Sequence, residues 1–219
     1  MPEGLTISGL GALLTAVALL PLLHFERDGA VAPRLFFKPI ASLGFMITAW
    51  GAGALDSAAG TAIFVGLALS MLGDVLLIFT DQRAFLAGLV AFLAGHVAYA
   101  VAFVMIGLHP LWAGVTAVLI MGLGLLLLRE LWPKLPAEMR GPVAAYIVVI
   151  TVMVVCALGA FGTGLTSLLI PIGALTFYLS DISVALDRFD GAGYGNRLLG
   201  LPLYYGAQTL LALSVAGLS

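Results

Sequence analysis

The stretch Phe85-Leu-Ala-Gly-Leu-Val-Ala-Phe-Leu-Ala-Gly-His96-Val-Ala-Tyr99-Ala-Val-Ala-Phe-Val-Met-Ile-Gly107 decides the fold. It carries no carboxylate, lysine or arginine, and as a helix it extends about 35 Å at 1.5 Å per residue. That is enough to cross the hydrocarbon core of a bilayer. The rest of the chain repeats the pattern. Of its 219 residues, 62% are hydrophobic and only 9% charged, with a mean hydropathy of +1.17. A soluble domain of this size has no way to hide that much apolar surface, so the expected fold is all-α, a polytopic membrane helical bundle.

Working outward in both directions, short polar or Gly/Pro breaks divide the chain into eight apolar stretches, at 5–23, 39–54, 61–79, 85–107, 111–128, 142–160, 165–186 and 198–218. They form one integral membrane domain over residues 1–219 with eight transmembrane helices. The opening Met1-Pro-Glu-Gly4 lacks the positive region of a signal peptide, so the first stretch is expected to be a retained helix.

The nine basic residues then orient the bundle. Arg27, Arg34 and Lys38 fall in the first loop, Arg83 in the third, Arg129, Lys134 and Arg140 in the fifth, and Arg188 and Arg197 in the seventh. The even loops and both tails hold none. By the positive-inside rule the odd loops are cytoplasmic and both termini face outward, in an integral, multi-pass protein of a bacterial-type inner membrane. A net charge of −2 adds nothing to this, and no basic run suggests nucleic acid. With Cys156 as the single cysteine, an internal disulfide and a Cys-rich metal site are both excluded. His24 and His109 fall near helix ends on opposite sides, so with His96 they make no zinc site. Neither metal nor cofactor is expected.

Against this background two acids stand out. Asp74 and Asp181 lie inside apolar stretches, where an ionisable group is costly and usually faces a functional cavity. Gly66-Leu-Ala-Leu-Ser-Met-Leu-Gly-Asp74 and Gly173-Ala-Leu-Thr-Phe-Tyr-Leu-Ser-Asp181 match in spacing, and each is followed by a second acid, Asp81 or Asp187. Gly88 to His96 and Gly200 to Gln208 repeat the interval in the stretches that follow. These matches suggest a parallel 4+4 repeat in which Asp74 and Asp181 are equivalent, each about 10 Å below the inner interface. No basic residue is expected at their depth. Two neighbouring carboxylates in a low dielectric do not both ionise at small cost, which leaves a general acid beside a general base. The alternative for each is a structural carboxyl bonded to a neighbouring helix.

Other polar residues gather around the acids. His96, with Tyr99 three residues on, is either a satisfied interhelical histidine or part of the site. Tyr204 and Gln208 share a helix face, and Tyr205 is either a site residue or an interfacial anchor. Ser70 lies one turn before Asp74, and Ser180 adjoins Asp181; no Gly-x-Ser-x-Gly elbow makes either serine a nucleophile. Lys38, Arg83, Arg188 and Arg197 border the inner helix ends as topology determinants, one or two of them candidate phosphate contacts.

Lys38-Pro39, Ser70-Met-Leu-Gly-Asp74, Phe92-Leu-Ala-Gly-His96-Val-Ala-Tyr99, Ser180-Asp181 and Leu203-Tyr204-Tyr205-Gly-Ala-Gln208 together resemble the ordered signature stretches of the YhhN-like lysoplasmalogenase family of multi-pass membrane proteins. The resemblance covers nearly the whole chain. It implies hydrolysis of the vinyl ether bond of a single-chain lipid, lysoplasmenylcholine or lysoplasmenylethanolamine, to a fatty aldehyde and a glycerophospho-alcohol, with Asp74 and Asp181 as the essential acids. Vinyl ethers resist base but open in acid, which suits an acid–carboxylate pair just below the headgroup. The competing readings are a proton- or cation-coupled transporter or channel using the paired aspartates, and a lipid-binding protein without catalysis.

The orientation is tested directly by labelling. With Cys156 removed, cysteines placed in 129–140 are expected to be shielded from an impermeant thiol reagent in intact cells, and labelling from outside would overturn the assignment.

Overall fold

The computed structural model describes residues 3–27 and 31–218, with side chains from Ile7 onward. Eight helices follow one another: α1 (Glu3–Arg27), α2 (Val31–Gly51), α3 (Ala58–Leu76), α4 (Gln82–Ile106), α5 (Pro110–Leu131), α6 (Ala137–Phe161), α7 (Leu169–Asp190) and α8 (Gly193–Ser214). Short 3-10 turns lie at Trp132–Lys134 and Val215–Gly217, and the described residues contain no strand. Helices satisfy every backbone group within the segment, as hydrocarbon requires. Apolar side chains such as Val118, Leu119 and Leu126 of α5 point outward, where lipid would surround them.

Seven of the eight helices are long and apolar enough to cross a membrane. The exception is α2, whose first turns carry Arg34 and Lys38. The expected second span, 39–54, is corrected here: α2 begins at Val31 and encloses both basic residues, and Pro39 lies within it rather than at its start. The same holds for Pro142 in α6 and Pro202 in α8. Neighbouring helices compensate the freed carbonyls in a bundle, so proline misleads as a boundary mark. Asp81 is likewise a structural acid: its Oδ1 accepts from the Ala84 amide at 3.0 Å as the N-cap of α4.

Contacts between connections order the bundle. Arg197 meets Glu26 at 3.6 Å, Lys134 meets Asp190 at 2.8 Å, and Gln82 donates to Glu138 at 3.4 Å. These join the first, third, fifth and seventh connections at one end. At the other end the His109 amide donates to the Gly159 carbonyl at 2.9 Å, Gly51 packs on Ile7 and Gly60 approaches Val215. Both termini therefore share the end opposite the basic residues, although those residues sit mostly in helix ends and not in loops.

Consecutive helices pair as α1/α2, α3/α4, α5/α6 and α7/α8; α4 also packs on α6, and α8 on α1, α2 and α3. Small residues make the closest seams. Gly11 and Gly44 bring α1 against α2, where the Thr15 hydroxyl donates to the Ala41 carbonyl at 3.0 Å. Between α3 and α4, Gly66 receives the Tyr99 ring and Gly73 the Phe92 ring. The Tyr99 ring cannot swing away, because its hydroxyl donates to Gln208 Oε1 on α8 at 2.6 Å.

A Cβ at Gly66 would lie 2.5 Å from Tyr99 Cε1, whereas one at Gly122 meets nothing within 4 Å. Gly66→Ala is accordingly expected to destabilise by about 1–3 kcal/mol, and Gly122→Ala to be neutral or mildly stabilising. Thermal unfolding of the detergent-solubilised protein reads the difference; equal midpoints would contradict this packing.

Candidate active site

At the basic end of the bundle a cavity of about 360 Å³ reaches inward, and both Asp74 and Asp181 line it. Asp74 is in the last turn of α3 and buried. Its Oδ2 accepts from the Ser42 hydroxyl of α2 at 2.6 Å and from the Tyr204 hydroxyl of α8 at 2.7 Å. Lys38, one turn before Ser42, faces the same cavity and attracts the Asp74 carboxylate electrostatically. Two hydroxyls and a nearby cation thus face this carboxyl.

The Asp181 surroundings differ. Its Oδ2 accepts from the Tyr146 hydroxyl of α6 at 2.8 Å and lies 3.3 Å from His96 Nε2 of α4, off the line of a straight hydrogen bond. His96 Nδ1 is 2.7 Å from the Phe92 carbonyl. A carbonyl only accepts, so Nδ1 carries a proton, and in a neutral ring Nε2 presents a lone pair. An ionised Asp181 would then face that lone pair. The contact is favourable only when a proton resides on Asp181 or on Nε2. The imidazole is held by Phe177, 4.4 Å away between ring centroids, and by Tyr146, edge-on at 5.3 Å.

Asp74 therefore has a cation nearby, Lys38, where no basic residue was expected, and Asp181 has His96, one of the residues expected around the acids. The matched depth counted from helix ends does not hold either: α3 stops at Leu76, just after Asp74, whereas α7 continues more than two turns beyond Asp181. What the acids share is the cavity. No hydrogen bond joins them; the rings of Phe92, Phe177 and Tyr204 pack against one another beside them.

The remaining expected residues divide into three groups. Ser180, Tyr204, Lys38, Arg188 and Arg197 line the cavity with the acids. Tyr99, Gln208 and Ser70 lie buried behind it, where Tyr99 and Gln208 bond to each other and the Ser70 carbonyl is 3.4 Å from the Tyr204 hydroxyl. Tyr205 is buried against Phe45 and Tyr204, which corrects its reading as an interfacial anchor. Arg83 is away from the cavity, in a shallow groove on the outer face of α3 and α4, and is corrected as a phosphate contact. Three cavity residues were missed, Tyr146, Glu26 and Arg34, and so was Ser42, which is fully buried and bonds to Asp74. Tyr146 had a signal, as the one hydrogen-bonding side chain between Pro142 and Ile150.

Away from the acids the cavity has two characters. One flank, between α4, α5 and α6, is apolar, with Phe85, Leu89, Leu127, Val143 and Ile147. The mouth is charged. Glu26 sits between Arg34 at 3.8 Å and Arg197 at 3.6 Å, Arg197 is also 3.8 Å from Asp187, and the Arg188 guanidinium lies 4.4 Å over the Phe85 ring. The arrangement suits an amphiphile with an anionic head, with two carboxyls of unlike surroundings between its two ends.

Comparison with known proteins finds relatives over most of the chain. Lysoplasmalogenase TMEM86A of Bos taurus is 36% identical over 182 residues, 80% of this chain and 74% of its own length, and Lysoplasmalogenase TMEM86A of Homo sapiens matches to the same extent. No solved structure matches the chain. The model of the YhhN family matches residues 33–215, from α2 to the end of α8, and the chain belongs to that family.

Proposed function

We propose that this protein is a membrane-embedded hydrolase that cleaves the vinyl ether bond of lysoplasmalogens, releasing a fatty aldehyde and a glycerophospho-alcohol. The observation that carries the reading is the pair of carboxyls with unlike partners on one amphiphilic cavity. The names of the related proteins support the substrate class.

Asp181, sharing its proton with His96, gives that proton to the β carbon of the vinyl ether, and the electrons of the double bond form the new C–H bond. The positive charge that remains is spread over the α carbon and the ether oxygen. The Asp74 carboxylate stabilises it, then accepts a proton as water adds at the α carbon. The resulting hemiacetal collapses: its hydroxyl gives its proton to the Asp181–His96 pair, the C–O bond to glycerol breaks, and the proton on Asp74 passes to the departing oxygen. Net consumption is one water, and the proton returns to the Asp181–His96 pair. Tyr146 and Ser42 position the two carboxyls.

A repeat relation between the halves fits the partners as well as the sequence spacing. Asp74 on α3 is held from α2 and α8, and Asp181 on α7 is held from α6 and α4, the helices four places on or back. We place the basic end on the cytoplasmic side, so substrate enters from the inner leaflet. A transporter would need a polar route through the far half. There, Thr15, Thr48 and Ser214 spend their hydroxyls on helix carbonyls, which favours a blind pocket.

Detergent-solubilised protein is expected to release aldehyde from lysoplasmenylcholine or lysoplasmenylethanolamine. Asp74→Asn and Asp181→Asn, which keep shape but not proton exchange, should each lower kcat by about 10² or more. His96→Gln should be milder, because it removes only a proton-sharing partner. Near-normal turnover in either Asn variant removes that residue from the mechanism, and no aldehyde from the native protein rejects the activity.

A further inference from the structure

The mouth of the cavity holds a cation, Lys38, whose long-range attraction to Asp74 leaves its own ammonium without an ion pair among the described residues. Lys38 is only 7% exposed and lines the cavity, yet among the described residues no carboxylate lies within ion-pair distance of its ammonium and no side-chain hydrogen bond engages it. A buried ammonium without a close partner is costly. It is not needed as a direct partner for Asp74, whose Oδ2 is already bonded by Ser42 and Tyr204. Around it the mouth carries Arg34, Arg188 and Arg197 against two carboxylates, Glu26 and Asp187. Glu26 is occupied between Arg34 and Arg197, and Arg197 Nε is buried without a hydrogen-bond acceptor.

We infer that Lys38 and Arg197 form an anion subsite for the phosphate that the substrate carries on its glycerol, and that the headgroup is recognised through this phosphate rather than through its amine. The inference rests on the vinyl ether reading of the cavity and adds the substrate's orientation. Lys38 precedes Ser42 by one turn, about 6 Å along α2, and Ser42 holds Asp74. The glycerol backbone between a lipid phosphate and its ether oxygen spans a comparable length. Phosphate at Lys38 therefore sets the vinyl ether beside Asp74 and leaves the hydrocarbon chain for the apolar flank of Phe85, Leu127 and Ile147. Glu26, committed to two guanidiniums, positions Arg197 and is not a choline or ethanolamine receptor.

Binding of saturated ether analogues to the full-length protein in detergent tests this without requiring turnover, so its outcome is separate from that of the activity assay. Calorimetry would compare 1-O-alkyl-glycerophosphocholine, 1-O-alkyl-glycerophosphate and uncharged 1-O-alkylglycerol. The native protein is expected to bind both phosphorylated analogues at least about tenfold more tightly than the alcohol, the scale of a charged hydrogen bond. Lys38→Gln should lose most of that preference and Lys38→Arg should retain it, which also controls for misfolding. Equal affinity for all three analogues, or a preference that survives Lys38→Gln, overturns the subsite. A choline form bound tenfold better than the bare phosphate overturns recognition through phosphate alone. Millimolar inorganic phosphate should compete only weakly; competition as strong as that of the lipid analogue would assign the site to free phosphate and remove the orientation.

Discussion

A carboxyl carried into an apolar bundle has to be met by donors from other helices, and this requirement ties the molecule together. Asp74 draws α2 and α8 onto the end of α3 through Ser42 and Tyr204. Asp181 draws α6 and α4 onto α7 through Tyr146 and His96. The helix that would otherwise be hardest to hold, α2 with its buried Arg34 and Lys38, is fastened by the same contacts and by the small-residue seam with α1. Stability and chemistry thus depend on one set of cross-helix bonds.

The two acids are made unlike by those bonds. Asp74 faces two hydroxyls, those of Ser42 and Tyr204, and the Lys38 ammonium. Asp181 instead faces the Tyr146 hydroxyl and Nε2 of His96, whose tautomer is set by the Phe92 carbonyl. A pair with this asymmetry can divide proton donation and cation stabilisation between its members in a way that two equivalent carboxyls cannot. Separating the groups also relaxes the need for direct carboxyl–carboxyl coupling: each acid carries its own partners, and the two line one cavity.

Much of this was legible in the sequence, for physical reasons. Charges inside apolar runs are rare enough to be read at once, so Asp74, Asp181 and His96 stood out, and the one-sided spread of Lys and Arg gave the connectivity. Helix ends were harder. Arg34, Lys38 and Arg140 looked like loop residues because charge usually marks water, but a cavity mouth accepts charge within helices. Pro39 and Pro142 looked like starts because proline breaks isolated helices, and a bundle forgives it. The depth estimate failed with those ends, since α3 stops where α7 continues. Ser42 and Tyr146 were out of reach because a hydroxyl in an apolar helix gains meaning only from the helix opposite. The same is true of Glu26, whose burial between Arg34 and Arg197 joins the first helix to the second and the last.

The pH profile of kcat/KM for aldehyde release, measured in the native protein, Ser42→Ala and His96→Gln, tests the division of labour most directly. The account predicts a bell, with activity lost when Asp74 is protonated at the acidic side and when the Asp181–His96 pair gives up its proton at the alkaline side. Ser42→Ala should move the acidic limb and leave the alkaline one in place, and His96→Gln should do the reverse. Limbs that move together in both variants, or a profile that neither variant alters, would contradict it.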